Sequence, residues 1–296
     1  MPSPQHEAIV AGIQSQPRPA TPPDLAQQRA GFEAMMAPLA PGPEIKREAV
    51  SAGGVPGVWF AAPGADPTRV VLYLHGGGYV LGSVATHAGL IARISRDAAA
   101  RCLGIDYRLA PEHPFPAAVE DACAAYRWLL RQGTPASRTA IAGDSAGGGL
   151  ALATLVALRD AGDPLPAAGV CLSPWTDLAI TGDSAKGGVD DPLIPLEQLA
   201  GMGAPYLAGA DPRTPTASPL YAELRGLPPL LIQVGTRELL LDDSIRVAER
   251  ARAAGVDVTL EPGEGLIHVW QLFGDAIPEA KDAVERIGAF LRRQIA

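Results

Sequence analysis

The chain of 296 residues is 47% hydrophobic and 19% charged, too apolar for a disordered polymer and long enough for one large α/β domain with a small attachment. A formal net charge of −8 disfavours the phosphates of nucleic acid and the anionic face of a membrane, leaving a neutral or cationic small molecule as the fitting substrate. No run approaches the roughly 20 apolar residues of a spanning helix, and Met1 to Pro17 lacks the basic start and apolar middle of a secretory signal, so a cytoplasmic protein is expected.

Residues 1–43 are Pro-rich from Pro17 to Pro23 and from Pro38 to Pro43, around one helical pattern from Pro23 to Met36. Such a segment cannot bury a core alone and is expected to dock on the remainder, 44–296, as a cap; its first residues read as mobile. Ile45 to Val50 and Val55 to Phe60, separated by Gly53 and Gly54, read as an antiparallel hairpin. Short apolar runs then read as buried strands: Val70 to Leu74, Cys102 to Ile105, Thr139 to Ala142, Gly169 to Leu172, Leu230 to Val234 and Val256 to Leu260. Helical patterns alternate with them at His87 to Ala98, Ala118 to Leu130, Gly148 to Arg159, Asp242 to Ala254 and Pro278 to Ile295. In the last, Ala280, Val284, Ile287 and Leu291 recur at the spacing of one helix face. This alternation specifies a mainly parallel sheet with helices on both faces. The stretch 174–229 is too long for an ordinary loop; with a helical piece at Leu196 to Leu207, it is expected to complete the cap. Cys102, Cys123 and Cys171 follow neither a metal pattern nor a paired framework and are expected as buried thiols.

Gly143-Asp144-Ser145-Ala146-Gly147 stands between a strand and a helix, where a sharply turned serine presents its hydroxyl at a helix N-terminus. His75-Gly76-Gly77-Gly78 ends the strand Val70 to Leu74, and consecutive glycines let backbone N–H groups converge on one point, as a tetrahedral oxyanion requires. The two motifs pair as nucleophile elbow and oxyanion loop. Of the five histidines, His6 lies in the start read as mobile, His75 in the oxyanion loop, His87 on a helical pattern and His113 between prolines. His268 follows the last strand in a loop, Gly263 to His268, at the sheet edge where doubly wound proteins keep their sites, and is the candidate base. The third member must be a carboxylate between the serine and the histidine; Glu238, Asp242 and Asp243 all qualify.

Together with Asp106-Tyr107-Arg108-Leu109-Ala110-Pro111-Glu112-His113-Pro114-Phe115-Pro116-Ala117, a far more specific segment that reads as structural, these motifs make the chain from Val70 onward resemble the bacterial hormone-sensitive-lipase-like esterases. The resemblance implies an α/β-hydrolase fold with an eight-stranded, mostly parallel sheet, flanking helices and a small helical cap. It further implies hydrolysis of short-to-medium acyl esters without cofactor or metal, and oxyanion donors at Gly77, Gly78 and Ala146. Pairing of two copies through the sheet edge near Val256 to Leu260 is a further expectation from it. The family usually presents its acid as Asp-Pro-Leu-x-Asp, whereas the matching positions read Glu238-Leu239-Leu240-Leu241-Asp242, so register assigns the acid to Glu238 and puts glutamate where aspartate is usual. Two other readings compete: an amide or other acyl hydrolase on the same machinery, and a ligand receptor without turnover, which would be expected to have lost Ser145 or His268.

Overall fold

The computed structural model describes residues 1–15 and 23–296; most of the Pro-rich stretch Pro17 to Pro23 lies outside the described residues. In chain order the elements are α1 (Pro4–Gln14), α2 (Leu25–Met36), β1 (Lys46–Ala52), β2 (Val55–Ala61), β3 (Asp66–Leu74), α3 (Val84–Ala98), β4 (Ala100–Ile105) and α4 (Ala117–Arg131). There follow β5 (Thr139–Asp144), α5 (Ala146–Asp160), β6 (Ala168–Leu172), α6 (Leu196–Leu207), β7 (Leu230–Arg237), α7 (Leu241–Ala253), β8 (Val258–Ile267) and α8 (Pro278–Gln294).

The strands form one eight-stranded sheet in the order β1-β2-β4-β3-β5-β6-β7-β8. Only β2 runs against its neighbours; the pairings from β4 through β8 are parallel. The β1–β2 hairpin turns through Gly53 and Gly54 at φ of 68° and 99°, a conformation that a side chain would strain.

Strand alternation sends residues to two separate cores. Val70, Leu72 and Leu74 of β3 join Leu129 of α4 and Leu150 and Leu155 of α5 on one face. Val71 and Tyr73 join Leu90, Ile91 and Ile94 of α3 and Val284, Ile287 and Leu291 of α8 on the other. Both faces being covered explains why the central strands are continuously apolar rather than alternating. Cys102, Cys123 and Cys171 are buried within these layers and free of disulfides.

Two expectations require correction. The start of the chain is helical: Ser3 caps α1 by accepting the His6 N–H, Pro4 occupies the first turn, and Ser3 bonds through Oγ to Glu279 at 2.8 Å. His6 and Val10 are buried, Val10 against Leu266, Ile267, Trp270 and Ile277, so a third apolar cluster anchors the segment that composition alone assigned to a mobile start. The second correction concerns β8, which does not end at Leu260. It continues to Ile267, pairing Val234 with Pro262, Gly235 with Gly263 and, beyond a register shift, Arg237 with Ile267. The glycines that read as a loop are in the strand; at Gly235 a Cβ would overlap the Leu266 carbonyl, so glycine permits the close approach.

Candidate active site

Five strands end immediately before the residues of interest: β3 before His75, β5 before Ser145, β6 before Ser173, β7 before Glu238 and β8 before His268. Because these strands are parallel, all five residues emerge along the same carboxyl edge, where an open α/β sheet places its ligands.

Ser145 adopts φ 55° and ψ −123°, a region costly for a non-glycine residue by roughly 1–3 kcal/mol. The surroundings enforce it. Its N–H donates to Leu172 O at 2.8 Å, its carbonyl accepts from Trp175 N at 2.9 Å and Gly149 N at 3.0 Å, and α5 begins at the next residue. The glycines on either side are a steric requirement: a Cβ at Gly143 would strike the Gly147 carbonyl, and one at Gly147 the carbonyls of Leu74 and His75. The resulting turn leaves the Ser145 side chain partly exposed above the helix N-terminus.

The glycine loop lies against this elbow. Gly77 and Gly78 have φ of 119° and 62°, and a Cβ on Gly76 would overlap the Asp144 carboxylate. Asp144 ties the two motifs together, accepting from Tyr73 Oη at 2.6 Å and from Gly76 N at 3.1 Å, with His87 Nε2 at 3.2 Å from its other oxygen. Among the described residues the N–H groups of Gly77, Gly78 and Ala146 have no intramolecular acceptor. Three free donors beside a serine hydroxyl are what a developing oxyanion needs.

Glu238 and His268 meet because β7 and β8 pair up to Arg237 and Ile267, and these two are the residues that follow. His268 Nδ1 lies 3.3 Å from Glu238 Oε1. Glu238 is fully buried, and its Oε2 accepts from Ser173 Oγ at 2.8 Å and from Gly235 N at 3.0 Å. Burial alone would lower the affinity of His268 for a proton, but the Glu238 carboxylate, with the charges of Asp191 and Asp144, holds it above its ordinary value. Among the described residues no hydrogen bond joins His268 to Ser145; the two stand at the ends of β8 and β5 on the same edge of the sheet.

The other carboxylates are engaged elsewhere. Asp242 Oδ2 accepts from Ser184 N at 2.9 Å, and Asp243 Oδ2 from Thr176 N at 2.7 Å and Asp177 N at 2.8 Å, so both fasten the stretch after β6 to α7. Burial pushes Asp243 up to about 8 despite those backbone donors, the neighbouring Asp177 charge adding to the rise. Among the histidines, His75 stacks on Tyr107 with centroids 4.3 Å apart, and burial, then the His87 charge, pushes it down to about 3. His113 is exposed.

Two segments cover this edge. In α6, Met202 packs against Gly78, where a Cβ would overlap its sulfur, and Tyr206 stacks on Tyr79 with centroids 3.7 Å apart. From α2, Arg29 donates to Val80 O at 2.9 Å and Ala110 O at 3.0 Å and grips the Glu112 carboxylate through both nitrogens at 2.7 and 2.8 Å. The Asp106 to Ala117 segment is thereby structural, since Asp106 also accepts the Val84 N–H at the start of α3 and Arg108 pairs with Asp121.

Sequence reasoning did not single out Asp144, Tyr73, His87 or Ser173. Asp144 was visible as the variable position of the elbow, but its partners lie on distant elements, and no spacing announces them. Among the described residues no group of three or more His, Cys, Asp and Glu side chains is gathered as a metal site, and no helix is long and apolar enough to cross a membrane.

Fold and motif placement together define an α/β hydrolase, and comparison with known proteins agrees. Residues 71–272 match the family described as alpha/beta hydrolase fold. An acetyl-hydrolase of Streptomyces hygroscopicus is 50% identical over 246 residues, 83% of this chain and 82% of that protein. An esterase of Acinetobacter venetianus is 36% identical over 250 residues, covering 84% and 82%. The crystal structure of an esterase from the bacterial hormone-sensitive lipase family superposes with a TM-score of 0.95 at 50% identity over 100% of both chains. A structure of EstE5 soaked with p-nitrophenyl butyrate gives 0.94 at 47% identity over 99% of each. The chain belongs to the hormone-sensitive-lipase-like esterases of the α/β-hydrolase family.

Proposed function

We propose that the chain hydrolyses carboxylic esters of short-to-medium acyl groups, with Ser145 as nucleophile, His268 as base and Glu238 as acid. The observation that carries this reading is the convergence on one sheet edge of a strained serine, three free N–H donors and a buried Glu238–His268 pair. In the first half-reaction Ser145 Oγ attacks the ester carbonyl while His268 Nε2 takes the hydroxyl proton. The N–H groups of Gly77, Gly78 and Ala146 receive the oxyanion, and collapse expels the alcohol, which leaves with the proton from His268. Water repeats the attack on the acyl-serine, again through His268, and releases the acid. Throughout, Glu238 faces Nδ1, fixing the tautomer and stabilising the imidazolium. Segments 1–43 and 174–229 act as the cap, with Met202 and Tyr206 above the oxyanion loop.

A series of p-nitrophenyl esters of increasing acyl length, set beside the matching anilides, tests the substrate class. Short and medium esters should turn over and the anilides far more slowly; the reverse order would favour the amidase reading. Deleting Met1 to Pro38 removes the Arg29 clamp and uncovers the apolar patch beneath Val10, so the truncated protein should lose activity most on the longer acyl groups. An unchanged chain-length preference in a soluble truncation would contradict the cap assignment.

The electrostatics set a pH dependence. His268 must be neutral to accept the serine proton, and its partners raise its proton affinity, so kcat/KM should fall with decreasing pH about a midpoint above the ordinary histidine value of roughly 6.5. Glu238→Gln removes the charge that supports the imidazolium and should move this acid limb to lower pH. A limb that stays in place would mean that Glu238 does not act on the base.

A further inference from the structure

The carboxyl end of β6 carries a buried hydroxyl that the acyl-transfer scheme leaves unused. Ser173 is fully buried and has φ 45°, a conformation uncommon for a residue with a Cβ, held by donation of its N–H to Gln233 O at 2.7 Å. Its Oγ donates to Glu238 Oε2 at 2.8 Å and accepts the N–H of Val269 at 3.1 Å. Val269, the residue after His268, is itself at φ 45°. One hydroxyl therefore touches the carboxylate on one side and the backbone of the base's loop on the other. The residue before it, Leu172, accepts the Ser145 N–H, so two consecutive residues contact the segments bearing all three proposed catalytic groups.

A carboxylate on a rotatable stem can present either oxygen to a partner. In Glu238 the two oxygens have different tasks: Oε2 is occupied by Ser173 Oγ and Gly235 N, and Oε1 alone faces His268 Nδ1. We propose that Ser173 is a positioning residue for the hydrolytic reaction, locking the Glu238 carboxylate so that Oε1 meets the imidazole and holding the backbone that aims His268. This rests on the reading of Glu238 as the acid. It differs from a mere packing role because the hydroxyl acts on the charge that His268 experiences. Without that donor the carboxylate is free to turn from Nδ1 and the imidazolium loses part of its support, while the other facing carboxylates, Asp191 and Asp144, stay in place.

Steady-state kinetics of Ser173→Ala, Glu238→Gln and the double variant, at equal folded concentration across a pH series, test the proposal. Ser173→Ala should lower kcat by roughly 10- to 100-fold with KM within about threefold, and should move the acid limb of kcat/KM to lower pH, in the same direction as Glu238→Gln but less far. In the Glu238→Gln background the same alanine should cost less than in the parent, because only its hold on the Val269 backbone remains to be lost. Full kcat in Ser173→Ala, an acid limb that does not move to lower pH, or independent losses in the double variant would overturn the positioning role even if Glu238→Gln is crippled. If Glu238→Gln keeps full activity, the acid assignment itself fails, and Ser173 falls with it. Should the alanine variant unfold, Ser173→Cys, a close isostere with a weaker donor, carries the same comparison.

Discussion

Replacement of Ser145 by alanine is expected to lower kcat by on the order of 10⁴ or more while the protein stays folded. The loss is large because the covalent route has no other nucleophile, whereas the free donors at Gly77, Gly78 and Ala146 persist and supply only residual catalysis over water. Folding should survive because what holds the elbow is backbone: the Ser145 N–H to Leu172, its carbonyl to Trp175 and Gly149, and the glycines that admit the turn. The Ser145 side chain itself is partly exposed and fills no core. Thermal unfolding beside esterase kinetics makes the comparison, and a folded alanine variant with substantial activity would refute the nucleophile.

Glu238→Gln should lower kcat by on the order of 10² to 10⁴. Glutamine keeps the shape and can still accept from Ser173, but it carries no charge to stabilise the imidazolium. Asp242→Asn should leave turnover close to that of the parent and instead reduce thermal stability by roughly 1 kcal/mol, because Asp242 sits in the first turn of α7 and accepts the Ser184 N–H. The contrast is informative because Asp242, like Glu238, is a carboxylate lying between the serine and the histidine along the chain. If Asp242→Asn abolishes turnover and Glu238→Gln does not, the acid has been misplaced by one helical turn.

What could be read from the chain was what local pattern encodes. Apolar runs such as Val70 to Leu74 and Thr139 to Ala142 announced buried strands because both faces of the sheet are covered, and the glycines around Ser145 and after His75 announced close backbone approaches. The extension of β8 through Gly263 and Gly265 was hidden because glycine is the same letter in a loop and in a strand that must pass close to its neighbour. Helix α1 was hidden for a different reason: its burial depends on a patch formed by Leu266, Trp270 and Ile277, assembled from the far end of the chain. Its Ser3-Pro4 start was nevertheless a legible cap signal. The partners of Asp144 and the bridge made by Ser173 could not be inferred, since each joins residues on separate strands and loops whose proximity exists only after the sheet has formed.

The most direct measurement of the central claim is covalent capture. The protein is treated with an alkyl fluorophosphonate, which phosphonylates an activated serine and cannot complete turnover, and is then analysed by intact mass and peptide mapping. One adduct is expected, on Ser145, with inactivation proportional to its formation, slowed by an ester substrate and absent in Ser145→Ala. Labelling of another residue in step with inactivation, or full activity in protein modified at Ser145, would contradict the account.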